Sequence, residues 1–163
     1  MFESPRLQRS LALAHFASTW FLVGLIWTIH FIHYALFPKV GSTEFVAYEN
    51  AHVDRIGTLL LLPWLTEGVT LLALLALAFL GSRSDLRAPM AINAVAMGIV
   101  LAISGFWSAP AHGDLMKGFD QGVFDRLMVA DLVRTFAWTV CGITAVWVLA
   151  RLWSTAEQRK VPA

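Results

Sequence analysis

The chain has one cysteine, Cys141, and it sits inside an apolar run. No intrachain disulfide can staple the fold, and cysteine usage leaves the redox compartment open. Charge is scarce as well: Asp, Glu, Lys and Arg make up 14% of the 163 residues, with a formal net charge of +1. Without a basic run or a strong positive field, nucleic acid is not an expected partner. Internal repeats and low-complexity tracts are also missing, so one domain, residues 1–163, accounts for the chain. Arg6 and Arg9 precede an apolar run too long for a signal-peptide core, which is expected to remain as a first span.

That run holds the longest absence. From Leu11 to Phe37 there is no Asp, Glu, Lys or Arg. At about 1.5 Å per residue, a helix of this length crosses a hydrocarbon core of roughly 30 Å. With 58% hydrophobic residues and a mean hydropathy of +0.66, the chain is too apolar for a soluble domain of its size. The pattern predicts an all-α integral membrane protein, an antiparallel four-helix bundle with spans at about 11–37, 56–80, 88–109 and 127–153. Pro38 and Gly41 should end the first helix, and Pro110 the third. Ser42 is the expected N-cap of an amphipathic surface segment, Thr43 to Arg55, that carries Glu44, Glu49, His52, Asp54 and Arg55 into the second span. Asp120 should cap a fourth helix that begins outside the bilayer.

Lys and Arg set the expected orientation. Arg6, Arg9, Arg83, Arg87, Arg151, Arg159 and Lys160 fall on the side of both termini, against Lys39, Arg55, Lys117 and Arg126 on the other. Both termini are therefore expected to be cytoplasmic in a bacterial-type inner membrane.

Polar residues inside the spans are costly unless they face the bundle interior, so helical spacing should gather them. Seam-like steps of four and three link Phe16, Trp20, Val23, Trp27, His30 and Tyr34 on the first helix. The same spacing links His52, Ile56, Leu60, Pro63, Glu67 and Thr70 on the second, and Asn93, Met97, Val100, Ser104 and Trp107 on the third. On the fourth it links Leu127, Asp131, Arg134, Trp138, Cys141, Ala145 and Val148. Gly24, Gly98 and Gly142 are expected at close helix contacts. By depth, His33, His52 and His112 lie near the outer boundary, His30, Ser104 and Arg134 about a turn below, and Glu67 lower still. His15 falls near the opposite end and reads as a boundary residue.

Two readings of these residues stay open. His30 and His33, at i and i+3, can turn both imidazoles to one centre, with His52, His112, Asp114 or Glu67 completing a metal sphere. Alternatively, His30 is a bonded seam residue and the other three are interfacial. Asp131 and Arg134, also at i and i+3, read as a neutralising ion pair or as part of a ligand site with His30, Tyr34 and Glu67. Glu67, a lone acid in an apolar span, is either a register-fixing hydrogen-bonding group or a proton carrier.

The runs His33-Tyr-Ala-Leu-Phe-Pro-Lys-Val-Gly41 and Phe45-Val-Ala-Tyr48, with His52, Arg55, Pro63 and Glu67, resemble a small four-helix membrane family that includes fungal anthrone oxygenases. Pro110-Ala-His112, Gly118-Phe-Asp120 and Arg134-Thr-Phe-Ala-Trp138 extend the resemblance over most of the chain. His30 and Asp131 depart from it, standing where such relatives are expected to carry non-ionisable polar residues. The resemblance implies an oxygenase acting on a polycyclic phenol. Two function classes follow. One is an oxidoreductase or oxygenase-like protein whose outer pocket binds a metal ion or an aromatic, quinone-like ligand. The other is a non-catalytic accessory subunit that joins other membrane-protein subunits in a respiratory or photosynthetic type of complex.

Overall fold

A computed structural model describes residues 4–158, all of whose long elements are helical. Arg159 and Lys160, used in the charge comparison, lie outside the described residues. Four helices form a bundle: α1 (Pro5–Lys39), α2 (Phe45–Phe79), α3 (Ser84–Leu115) and α4 (Gln121–Gln158). Each is long and apolar enough to cross a bilayer. Large apolar side chains such as Leu61, Leu62, Leu80 and Phe106 cover the outside, as a lipid-facing surface requires.

Two helices are not α-helical throughout. In α1 the α-helix Pro5–Thr28 gives way to a π-turn, Ile29–His33, and then to a 3-10 stretch, Tyr34–Lys39. In α3 a second π-turn, Ser104–Ser108, separates Arg87–Ile103 from Ala109–Leu115. Pro110 does not end the third helix. It lies two residues past the π-turn, inside a continuous helix whose widened turn accommodates the proline ring and its missing N–H. The helix therefore runs on to Leu115 and carries His112 with it, leaving a short connection before α4.

Burial revises the expected seams. On α4 the expected stripe is inward, with Leu127, Asp131, Trp138, Cys141, Ala145 and Val148 buried. On α1 Val23, His30 and Tyr34 of the expected stripe are buried, but Ala12, His15, Thr19, Leu22 and Ile26 are buried beside them and Trp20 is exposed on the flank. On α3 the π-turn adds a residue to one turn, so Ser108 replaces Trp107 as the inward position after Ser104. Gly142 alone among the three expected glycines is a close contact. A Cβ there would meet the Trp20 ring at 3.2 Å and Val23 at 3.3 Å, whereas Gly24 and Gly98 face open space.

Helix caps follow the same physics. The Asp120 carboxylate accepts from the Val123 N–H at 2.8 Å, as an N-cap does. Ser42 does not cap α2; Glu44 and Phe45 donate their N–H groups to the Gly41 carbonyl instead. The segment before Arg55 continues into the second span as expected, since Phe45–Phe79 is one helix, but it buries Glu49 and His52. Further along, no residue of α2 between His52 and Glu67 is buried. There α2 stands off the other helices.

Candidate functional site

The gap beside α2 is a cavity of about 430 Å³. Ile56, Leu60 and Trp64 line it from α2, and Leu22, Leu25 and Ile26 from α1. Its polar groups gather at one end: Tyr34, Ser104, Ser108, His112 and Arg134. Both π-turns lie at this level. They bring Tyr34 inward from α1 and Ser104, Ser108 and His112 inward from α3, the role such turns often play at functional sites.

Behind the cavity wall, hydrogen bonds link the polar groups into two chains. His112 Nδ1–H donates to Glu49 Oε1 at 2.5 Å, and the Tyr34 hydroxyl donates to His112 Nε2 at 2.8 Å. The carboxylate fixes the tautomer, leaving Nε2 as the acceptor that faces Tyr34. In the second chain, His30 Nδ1–H donates to Asp131 Oδ2 at 3.0 Å, and Arg134 donates through Nη2 to Asp131 Oδ1 at 2.6 Å. Arg134 also reaches Ser104 Oγ at 3.4 Å, and its guanidinium lies beside the Tyr34 hydroxyl, which joins the chains at the cavity. The Arg134 Nε donor and the Glu49 Oε2 acceptor have no protein partner.

His30, Tyr34, Asp131 and Arg134 thus share one cluster. Glu67 sits beyond it, behind Trp138: the indole Nε1–H donates to Glu67 Oε2 at 3.1 Å, and the Trp138 ring, not the carboxyl, lines the cavity.

The four histidines proposed around one metal centre divide instead. His30 is held by Asp131, while His33 and His52 bond to each other at 2.8 Å, with His112 ring-packed on His52 at 5.4 Å between centroids. Among the described residues, no group of three or more His, Cys, Asp or Glu side chains is placed to hold a metal ion. The π-turn is the reason for the split. It widens the turn, so residues at i and i+3 diverge further than they do in an α-helix.

Three residues at or near this site were not expected there. Glu49 is fully buried, and the spacing Glu49-x-x-His52, which sets both side chains on one helix face, was the available signal. Trp138 was visible only as a stripe residue. His15 is not a boundary residue: it is fully buried and bonded to Thr70 and Asn93.

Set against protein-family models, curated proteins and solved structures, the chain matches none.

Proposed function

We propose that this protein takes a lipophilic phenol or quinone-like ring from the bilayer into the cavity beside α2 and handles a proton at the ring oxygen. The supporting observation is the cavity's division into apolar walls and one polar end backed by a buried carboxylate. The ring packs against Leu60 and Trp64, with its oxygen beside Tyr34 and Arg134. A phenolic proton passes to the Tyr34 oxygen as Tyr34 gives its own proton to His112 Nε2. The products are a phenolate, neutral Tyr34 and an imidazolium, which Glu49 stabilises while Arg134 balances the phenolate. This acid–base step suits an oxidoreductase or oxygenase-like activity on a phenolic substrate, the class that the anthrone-oxygenase resemblance implies.

Trp64 and Trp138 line the cavity and supply the test. Titrating the detergent-solubilised protein with a naphthol or a short-chain quinone is expected to quench tryptophan emission saturably. Tyr34→Phe should weaken binding by about tenfold, the worth of one buried hydrogen bond. Quenching that never saturates, or an unchanged affinity in the variant, would count against the site.

In the same reading the helices run antiparallel across an inner membrane, with both termini cytoplasmic and the polar cavity end toward the outside. The short connections 40–44 and 116–120, and the Lys and Arg bias, support this arrangement. Cys141 is fully buried, so native protein should label weakly. A cysteine in place of Lys117 should react with a membrane-impermeant maleimide in intact cells, and one in place of Asp85 should not. The reverse pattern would invert the topology.

A further inference from the structure

A second cavity, of about 320 Å³, opens beside the stretch of α2 that stands off its neighbours. Only α1 and α2 line it, whereas α3 and α4 also line the first. Leu25, Ile29 and Ile56 form a wall common to the two cavities, so this part of α2 has a hollow on each side. Membrane helices gain stability from close packing, and a hollow between two of them is filled by side chains or by a guest. Here side chains do not fill it.

The lining is graded from polar to apolar. His33 and Tyr48 line the cavity toward the connection between α1 and α2, Arg55 follows, and Leu25, Ile29 and Leu59 line it toward the bundle middle. Arg55 is exposed and, among the described residues, takes part in no hydrogen bond or ion pair. Its sequence neighbour Asp54 does not line the cavity, and no other Asp or Glu does. A guanidinium beside an apolar crevice without a carboxylate suits an anion, and its planar fork matches the oxygens of a phosphate. His33 Nε2 is taken up by His52 at 2.8 Å, but the Tyr48 hydroxyl meets His33 Nδ1 only at 3.5 Å. That long contact leaves the hydroxyl able to turn to a better acceptor. Length then separates a lipid from a free phosphate. From Tyr48 to Leu59 the cavity follows α2 for roughly 17 Å, at about 1.5 Å per residue. An inorganic phosphate would leave the apolar part empty, and an acyl chain fills it.

We propose that the cavity between α1 and α2 holds one anionic phospholipid, with its phosphate at Arg55 and Tyr48 and an acyl chain along Ile29, Ile56 and Leu59. No carboxylate is there to receive the ammonium of a zwitterionic headgroup, so phosphatidylglycerol is preferred over phosphatidylcholine. The chain supplies the contacts that α2 lacks against α1. It also backs Leu25, Ile29 and Ile56, the wall shared with the first cavity, and so steadies that cavity from behind. The lipid site does not depend on which ligand enters the first cavity.

The test uses the full-length protein, delipidated in a neutral maltoside detergent, with one dioleoyl lipid added at a time. Dioleoylphosphatidylglycerol is expected to raise the thermal midpoint saturably, and native mass spectrometry should show one copy kept per chain. Dioleoylphosphatidylcholine should bind about tenfold more weakly, and inorganic phosphate should have no effect. Arg55→Gln should erase the preference between the two lipids. Arg126→Gln should keep it, because that arginine is exposed but does not line this cavity. Leu59→Trp, at the apolar end, should weaken binding of both lipids. Equal binding of the two lipids by the wild type would overturn the proposal, as would a full preference in Arg55→Gln. A response to inorganic phosphate as large as that to lipid would also overturn it, leaving only a free-anion site. Arg55 and Leu59 are both exposed, so their replacements leave the packed core untouched.

Discussion

Arg134→Ala is expected to leave little well-assembled protein. Asp131 is fully buried and holds two cationic or potentially cationic partners, His30 at 3.0 Å and Arg134 at 2.6 Å. Removing the guanidinium strands the carboxylate, and breaking a buried pair from one side costs about 3–5 kcal/mol. That is a large share of the roughly 5–15 kcal/mol that holds a typical domain together. Lys117→Ala is the control, because that ammonium is 77% exposed and pairs with an exposed Asp114, where water screens the attraction. Thermal unfolding in detergent, followed by circular dichroism and size-exclusion profile, should separate the two clearly. Equal stability of Arg134→Ala and Lys117→Ala would show that Asp131 needs only His30. Adding Asp131→Asn to Arg134→Ala should recover part of the loss, since the uncompensated charge is removed along with its partner.

Glu49→Ala is expected to cost about 1.5–3 kcal/mol, the worth of a hydrogen bond to a charged group. Its carboxylate is the acceptor for His112 Nδ1, and no other acceptor is bonded to that nitrogen among the described residues. Asn50→Ala, one residue along on the exposed face of the same helix, should be close to neutral. If Glu49 lay at the membrane surface, the two variants would behave alike, so the difference between their melting midpoints decides the matter. Ligand quenching gives a second measurement. Glu49→Gln keeps the size and an acceptor but loses the charge that stabilises an imidazolium, so it should affect phenol binding more than stability.

The apolar runs, scarce charge and proline spacing were enough to set the class and the number of membrane-length helices. A lipid environment penalises unsatisfied backbone so heavily that a long uncharged run has few alternatives to a helix. The α4 stripe was equally legible, because Asp131, Arg134, Trp138 and Cys141 follow regular seam spacing on an unbroken helix. The Asp120 cap was readable for the same local reason. Where helices depart from regular geometry, spacing misleads. The π-turns at Ile29–His33 and Ser104–Ser108 shift which residues face inward, so Trp107 yields to Ser108 and the His30 and His33 rings find different partners. A local pattern does not encode such a turn, since its cost is offset only by contacts made across the bundle. Tertiary packing alone decided that Glu49 is buried against His112, that His15 belongs to an internal cluster, and that α2 stands away from its neighbours between His52 and Glu67. Each is a relation between residues on different helices, and hydrophobic periodicity within one helix carries no information about its neighbour's register.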